Sequence, residues 1–332
     1  MKTKITPGLL LLLIFIACSK ENNTHNQVHS LQQSNIVYTD TAKLPLNDLG
    51  TGTFYGYTGG LYPGGSNTAS GTYADDLLAT CANMIPLDTF GNPSSKPIAK
   101  ILFISMGGST GGKNMTALKA KTTNNPATYS KLHLMNCNQE GYNAYINAIA
   151  DPNNVYWNHV TQVVQGNKGS YRQVQIIYLE TDDSTTKATF PERPLTVKKD
   201  LEACMRTLKY KFPNLKIVYL LARTRTFGTN NLPNREPSPY YFGWACKWLI
   251  EDQINGVPGT EYKGDNVVAP MVAWGFYQWA LTTPRITDGF YWLQSETKDN
   301  LHATTAGQDT LATHFQNFLL TDPFASKWYA AH

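Results

Sequence analysis

Short apolar runs alternate with stretches of helical periodicity, and that alternation most limits what this chain can fold into. Residues 98–105 (IAKILFIS), 131–136 (KLHLMN), 174–180 (VQIIYLE) and 215–221 (LKIVYLL) have the length and β-branched content of buried strands, and residues 267–273 form a fifth candidate. Between them the period changes. Pro194 suits a first helical turn, and Leu201, Met205, Leu208 and Phe212 then recur at helical spacing until Pro213 stops the helix. Residues 240–254 carry Trp244, Trp248 and Leu249, with Gly256 and Pro258 beyond. Near the end Leu311, Phe315, Phe318 and Leu319 share one face, and Asp309 sits early, where the helix dipole favours a carboxylate. Strands separated by helices predict an α/β fold, with a central parallel sheet of about five strands covered on both faces. In such sheets ligands bind beyond the carboxyl ends of the strands. The residues just after each strand are therefore the ones to read for function.

Composition narrows the class. With 332 residues the chain holds one large domain or two modest ones. Charged residues are 16% and apolar residues 42%, which excludes a disordered chain. A net charge of +4 is too small a bias to imply a nucleic-acid partner. Aromatic rings make up 12% of the chain, enough to line a flat-ligand cleft as well as to fill a core.

The first residues read as an address. Lys2 and Lys4 precede a nine-residue apolar run, residues 9–17, which is too short to span a membrane as a helix and fits a signal h-region. The run closes on Phe15-Ile16-Ala17-Cys18, which resembles the lipobox of bacterial lipoproteins. Cleavage before Cys18 leaves a lipidated N-terminus and a protein anchored outside the cytoplasm, in the bacterial (outer) membrane. Ser19-Lys20-Glu21 resembles the surface-export signal of some of these lipoproteins. The expected organisation is a signal peptide (1–17), a flexible tether (18–45), a loop-rich N-terminal extension packed on the domain (46–97) and the main domain (98–332). The extension is read as loop because of its Gly, Thr, Tyr and Asn content. Cys81, Cys137, Cys204 and Cys246 lack C-x-x-C spacing, so no zinc site is expected; disulfide pairing stays open, with buried thiols the plainer reading for Cys204 and Cys246.

Two readings compete after the first long strand. Gly107, Gly112 and Lys113 satisfy the G-x-x-x-x-G-K of a phosphate-binding loop, but Asn114 stands where a magnesium-holding hydroxyl is needed, and the leader points away from the cytoplasm. The other reading is a nucleophile turn. Ser109 would sit at the strand's carboxyl end, beside a helix N-terminus that favours a developing oxyanion. The far end of the chain supports the second. A serine needs a base, and Asp299-Asn300-Leu301-His302 supplies a histidine with a carboxylate in reach of its other nitrogen. Thr304 or Thr305 then caps the last helix and holds that loop.

Gly-Ser after the first long strand and Asp-x-x-His before the last helix together resemble the SGNH/GDSL hydrolases. The resemblance extends from about Leu46 to about Trp328. It looks closest to a group of secreted bacterial SGNH-like proteins, whose texture is matched by Asp48-Leu49-Gly50-Thr51-Gly52, by Gly60-Leu61-Tyr62-Pro63-Gly64-Gly65, by Glu236-Pro237, by Lys247-Trp248-Leu249-Ile250-Glu251-Asp252-Gln253-Ile254 and by Trp274-Gly275-Phe276-Tyr277. It implies a flavodoxin-like three-layer sandwich, no cofactor, and a Ser109–His302–Asp299 triad. The backbone N–H groups of Ser109 and Gly141 would form the oxyanion hole. It also implies an ester substrate, and with the surface address and the aromatic content it points to acylated glycans.

The third motif departs from the pattern. After the third long strand the superfamily has Gly-x-Asn-Asp, whose Asn donates to the oxyanion. Here the chain runs Glu180-Thr181-Asp182-Asp183. Losing one such donor costs about 10²–10³ in rate. Asn138 and Arg223, both just after strands, are possible substitutes, and Tyr55, Tyr62, Trp274 and Tyr277 are candidate cleft aromatics. The missing Asn also motivates an alternative, a catalytically degenerate relative that binds a surface glycan. The carboxylates at 180–183 lack a calcium-loop spacing, and no metal site is expected.

Overall fold

The computed structural model describes residues 1, 37–40, 42–141, 145–183, 189–228 and 234–332. The leader and Cys18 lie outside these, as does most of the expected tether. Among the described residues, no helix is long and apolar enough to cross a membrane.

The strands, in chain order, are β1 (Val37–Tyr38), β2 (Thr53–Phe54), β3 (Tyr57–Thr58), β4 (Ile101–Gly107), β5 (Leu132–Asn136), β6 (Val174–Glu180), β7 (Ile217–Leu220) and β8 (Met271–Trp274). The α-helices are α1 (Leu46–Leu49), α2 (Gly71–Ala82), α3 (Ser109–Thr122), α4 (Ile146–Ala150), α5 (Tyr156–Gly166), α6 (Glu192–Lys211), α7 (Ser238–Ile254), α8 (Thr305–Thr321) and α9 (Ser326–Tyr329). The five long strands form one parallel sheet in the order β5-β4-β6-β7-β8. This is the flavodoxin-like order, and it reverses direction at β4, between β5 and β6, where a crevice opens at the strands' carboxyl ends.

The sheet is buried on both faces, which is why its strands read as unbroken apolar runs rather than alternating ones. Ser105, Tyr178 and Tyr219 lie in register across neighbouring strands, with Phe103 on the same face of β4. On that face Phe103, Tyr178 and Tyr219 meet Phe315, Phe318 and Trp328 of α8 and α9 in edge-on and tilted contacts, and α3 packs along α8. The helices α4, α6 and α7 form the other packed group. Helix α7 is buried on nearly every side, so it carries apolar residues all round rather than one stripe.

Two features of the N-terminal stretch add detail to the sequence reading. The N-terminal stretch is folded from residue 37 on: β1 pairs with β2 in parallel, and Tyr241 donates to Asp40 at 2.7 Å. The last part of the expected tether thus includes a paired strand, Val37–Tyr38. Within the loop-rich stretch 46–97 one longer helix forms, α2, which buries Tyr73, Leu77 and Cys81 at i, i+4, i+8. Cys81, Cys137, Cys204 and Cys246 are free and buried.

Candidate active site

The sheet's switch point gathers the carboxyl ends of four strands around one cavity of about 240 Å³. Gly108, Ser109 and Thr110 follow β4. Gly141 and Tyr145 follow β5, Glu180, Thr181 and Asp182 close β6, and Arg223 follows β7; Asn234, Leu301 and His302 complete the wall.

Local sterics fix the Ser109 turn. Gly107 has φ +127°, and a Cβ there would lie 1.9 Å from the Glu180 carbonyl oxygen, so β4 can run that close to β6 only with glycine. Gly111 is similarly pinned, since a Cβ would meet the Asn138 carboxamide at 2.7 Å. The glycine loop is thus explained by packing, without a phosphate to cradle. Gly108 is the N-cap and Ser109 the first residue of the fourteen-residue α3. The hydroxyl therefore sits where unpaired backbone N–H groups and the helix dipole stabilise negative charge.

The partner loop is built from short-range hydrogen bonds. Asp299 Oδ1 accepts from the backbone N–H groups of Leu301 (3.1 Å) and His302 (2.6 Å). That leaves Oδ2 facing His302 Nδ1 at 2.6 Å. His302 Nε2 then lies 2.8 Å from Ser109 Oγ, across 193 residues of sequence. Thr304 caps α8 by accepting from Gly307 N at 3.1 Å, and Arg235 Nη2 donates to the Asp299 carbonyl at 3.2 Å. Partial burial raises the Asp299 pKa, but the hydrogen bonds from the His302 ring and backbone outweigh it and hold the carboxyl at about 2. An ionised Asp299 fixes the Nδ1–H tautomer and leaves Nε2 as the acceptor facing the serine hydroxyl. The geometry can take the Ser109 proton.

The carboxylates at the end of β6 do not face the hydroxyl unpaired. Glu180 accepts from Asn114 Nδ2 at 3.0 Å and from the Tyr178 hydroxyl. Asp182 pairs with Arg223 and, at 3.5 Å, with Arg193. Burial pushes both carboxyls above the ordinary range. Tyr178 and Arg223 pull Glu180 back, and Arg223 and Arg193 pull Asp182 back. Among the described residues, no three His, Cys, Asp or Glu side chains gather where a metal ion could be held.

Other sequence candidates divide. Arg223 lines the cavity and spends one guanidinium nitrogen on Asp182. Gly141, with φ +76°, is in the wall. Asn138 is not, because its Nδ2 is committed to the Gly108 carbonyl at 3.1 Å and its side chain packs on the α3 glycines. The cleft aromatics are corrected. Tyr62, Trp274 and Tyr277 are core residues, 6%, 3% and 3% exposed, and the Trp274 indole N–H is spent on the Leu61 carbonyl at 2.6 Å. Tyr55 is exposed but stacks on Phe190, away from the cavity wall. Sequence reading missed Tyr145 and Asn234. No motif marks them; their only signal is position just beyond a strand or in a loop leaving one.

No family model and no curated protein matches this chain. Among solved structures it is similar to a carbohydrate esterase family 3 protein from Talaromyces cellulolyticus. The identity is 12% and the TM-score 0.36, over 67% of this chain and 98% of that one.

Proposed function

We propose that the protein is a serine ester hydrolase of SGNH type. The carrying observation is the hydrogen-bonded line Ser109 Oγ–His302 Nε2 and His302 Nδ1–Asp299 Oδ2, at 2.8 and 2.6 Å, at the mouth of a cavity. In this reading Ser109 Oγ attacks an ester carbonyl while His302 Nε2 takes its proton. The tetrahedral oxyanion is held by the backbone N–H groups of Ser109 and Gly141 and by Arg223. His302 then gives the proton to the departing alkoxide, leaving an acyl-serine. Water attacks that acyl group while His302 Nε2 takes its proton; the bond to Ser109 Oγ then breaks, His302 returns the proton to Oγ, and the carboxylic acid is released.

Arg223 is assigned the donor role because Asp182 ends β6 where the resemblance calls for asparagine. An aspartate cannot donate, but it holds a guanidinium at the cavity wall that can. The small cavity favours a short acyl group, and glycan esters are the proposed substrate class. The leader motif ending at Cys18 supports a lipid-anchored protein outside the cytoplasm.

One observation favours a second reading, a glycan-binding relative without turnover: the side-chain donor of the superfamily is replaced by a buried ion pair. A single assay separates the two. The protein from residue 34 onward should hydrolyse 4-nitrophenyl acetate, and Ser109→Ala and His302→Ala should each abolish turnover. Wild-type rates equal to those of both variants would support the binding reading instead.

A further inference from the structure

Ser109 belongs to two cavities. Besides the one described, a second of about 250 Å³ shares Ser109 and lies over the first turns of α3. Its wall is Ser109, Gly112 and seven polar or charged side chains, with no apolar side chain among them. Asn136 is spent there, donating to the Gly112 carbonyl and to Thr116 Oγ1 at 2.8 and 3.1 Å. Gln139 is not spent. Its Oε1 is buried without a partner, and no hydrogen bond among the described residues uses its Nε2. Lys113 brings an ammonium group to the same wall, opposed by Glu140. Burial and the neighbouring Lys298 hold Lys113 below the ordinary lysine range.

We propose that this second cavity is the subsite for the alcohol half of the substrate, and that the alcohol is a neutral polyhydroxylated ring. The inference rests on the hydrolase reading and adds to it which cavity recognises the sugar. An ester carbonyl seated at Ser109 with its oxygen toward Gly141 and Arg223 has two substituents to place. An apolar acyl chain in the second cavity would cover Gln139 and Lys113 without pairing them, which is the costly outcome for polar groups. Hydroxyls, each both donor and acceptor, pair the Gln139 Nε2, the Lys113 ammonium and the Glu140 carboxylate together. A cation would be repelled by Lys113. An anion would face Glu140.

The test compares two acetates on the same enzyme preparations. One is 4-nitrophenyl acetate, whose leaving group has no hydroxyls to offer Gln139 or Lys113. The other is a mono-O-acetylated methyl hexoside with free neighbouring hydroxyls. The readout is the ratio of kcat/KM for the hexoside to kcat/KM for the nitrophenyl ester, which partial misfolding leaves unchanged because it scales both rates together. In Gln139→Leu and in Lys113→Met the ratio should fall about tenfold, one buried hydrogen bond's worth of discrimination. A ratio at or above the wild-type value in both variants would overturn the inference and leave the hydrolase reading standing. No hydrolysis of either ester by the wild-type protein would overturn the hydrolase reading, and the inference with it.

Discussion

The two sides of the cavity are built in opposite ways. On one side Asp299, His302 and the Thr304 cap fall within six residues, and their hydrogen bonds run three residues along the chain. On the other side Arg223 and Asp182 are 41 residues apart, and Arg193 reaches Asp182 from a helix. The first side is a loop whose carboxylate–histidine geometry is set by bonds within it, with Arg235 and the Phe227 N–H tying its backbone to the neighbouring segment. The second is a buried ionic network whose members need one another. The contrast teaches that the pairing that orients the base, Asp299 with His302, is local and robust. Anion stabilisation, by comparison, depends on a tertiary contact that one substitution can unbalance.

Removing the local side's charge should have the largest catalytic effect and the smallest structural one. Asp299→Asn keeps an oxygen for the backbone N–H groups but no longer fixes the histidine tautomer, so kcat on 4-nitrophenyl acetate should fall by about 10³–10⁴. Because Asp299 is nearly half exposed, its unfolding midpoint in urea should barely move. A variant that loses stability and activity together would erase the distinction between the two sides.

The opposite side should respond in both quantities. Arg223→Gln removes the proposed oxyanion donor, with an expected loss of about 10² in kcat. It also leaves Asp182 buried with the longer Arg193 contact and the Asp183 N–H at 2.8 Å but without its close cationic partner, costing about 3 kcal/mol of stability. Adding Asp182→Asn should restore most of that stability without restoring the rate, as read by denaturant unfolding and steady-state kinetics. Full recovery of rate would remove Arg223 from the mechanism.

Two smaller effects sharpen the comparison. Thr304→Ala should cost about 1 kcal/mol by removing the α8 cap, measurable by thermal unfolding. The weakest effect is with pH. The folded Asp299 carboxyl sits at about 2, below its unfolded value near 4. Its contribution is therefore complete above roughly pH 4 and is lost as pH falls through about 2. Between pH 5 and pH 3 the wild type should lose slightly more stability than Asp299→Asn.

The same division explains what could be read from the chain. The five long strands, the last helix and the Asp299–His302 spacing were legible because each is written in a short window of residues. The reason for Gly107 was not, since it lies in the Glu180 carbonyl on the neighbouring strand. The Asp182–Arg223 pairing was hidden for the same reason, although Arg223 itself was singled out by its place after a strand. Aromatic residues misled because cleft and core use the same side chains. Trp274 and Tyr277 follow the pattern of a cleft in sequence, yet they are buried with their polar atoms hydrogen-bonded inside. Helix α2 was missed because Gly71, Thr72 and two adjacent aspartates at 75 and 76 give it loop-like composition, while three residues facing the core hold it.

The most direct test of the central claim is covalent. A fluorophosphonate reacts with a serine hydroxyl only when a base and an oxyanion site activate it, whatever the natural substrate. Incubation of the wild-type protein should add one phosphonyl group, mapped by peptide mass spectrometry to Ser109, and the addition should disappear in His302→Ala. Absence of labelling at Ser109, or labelling that persists undiminished without His302, would contradict the account.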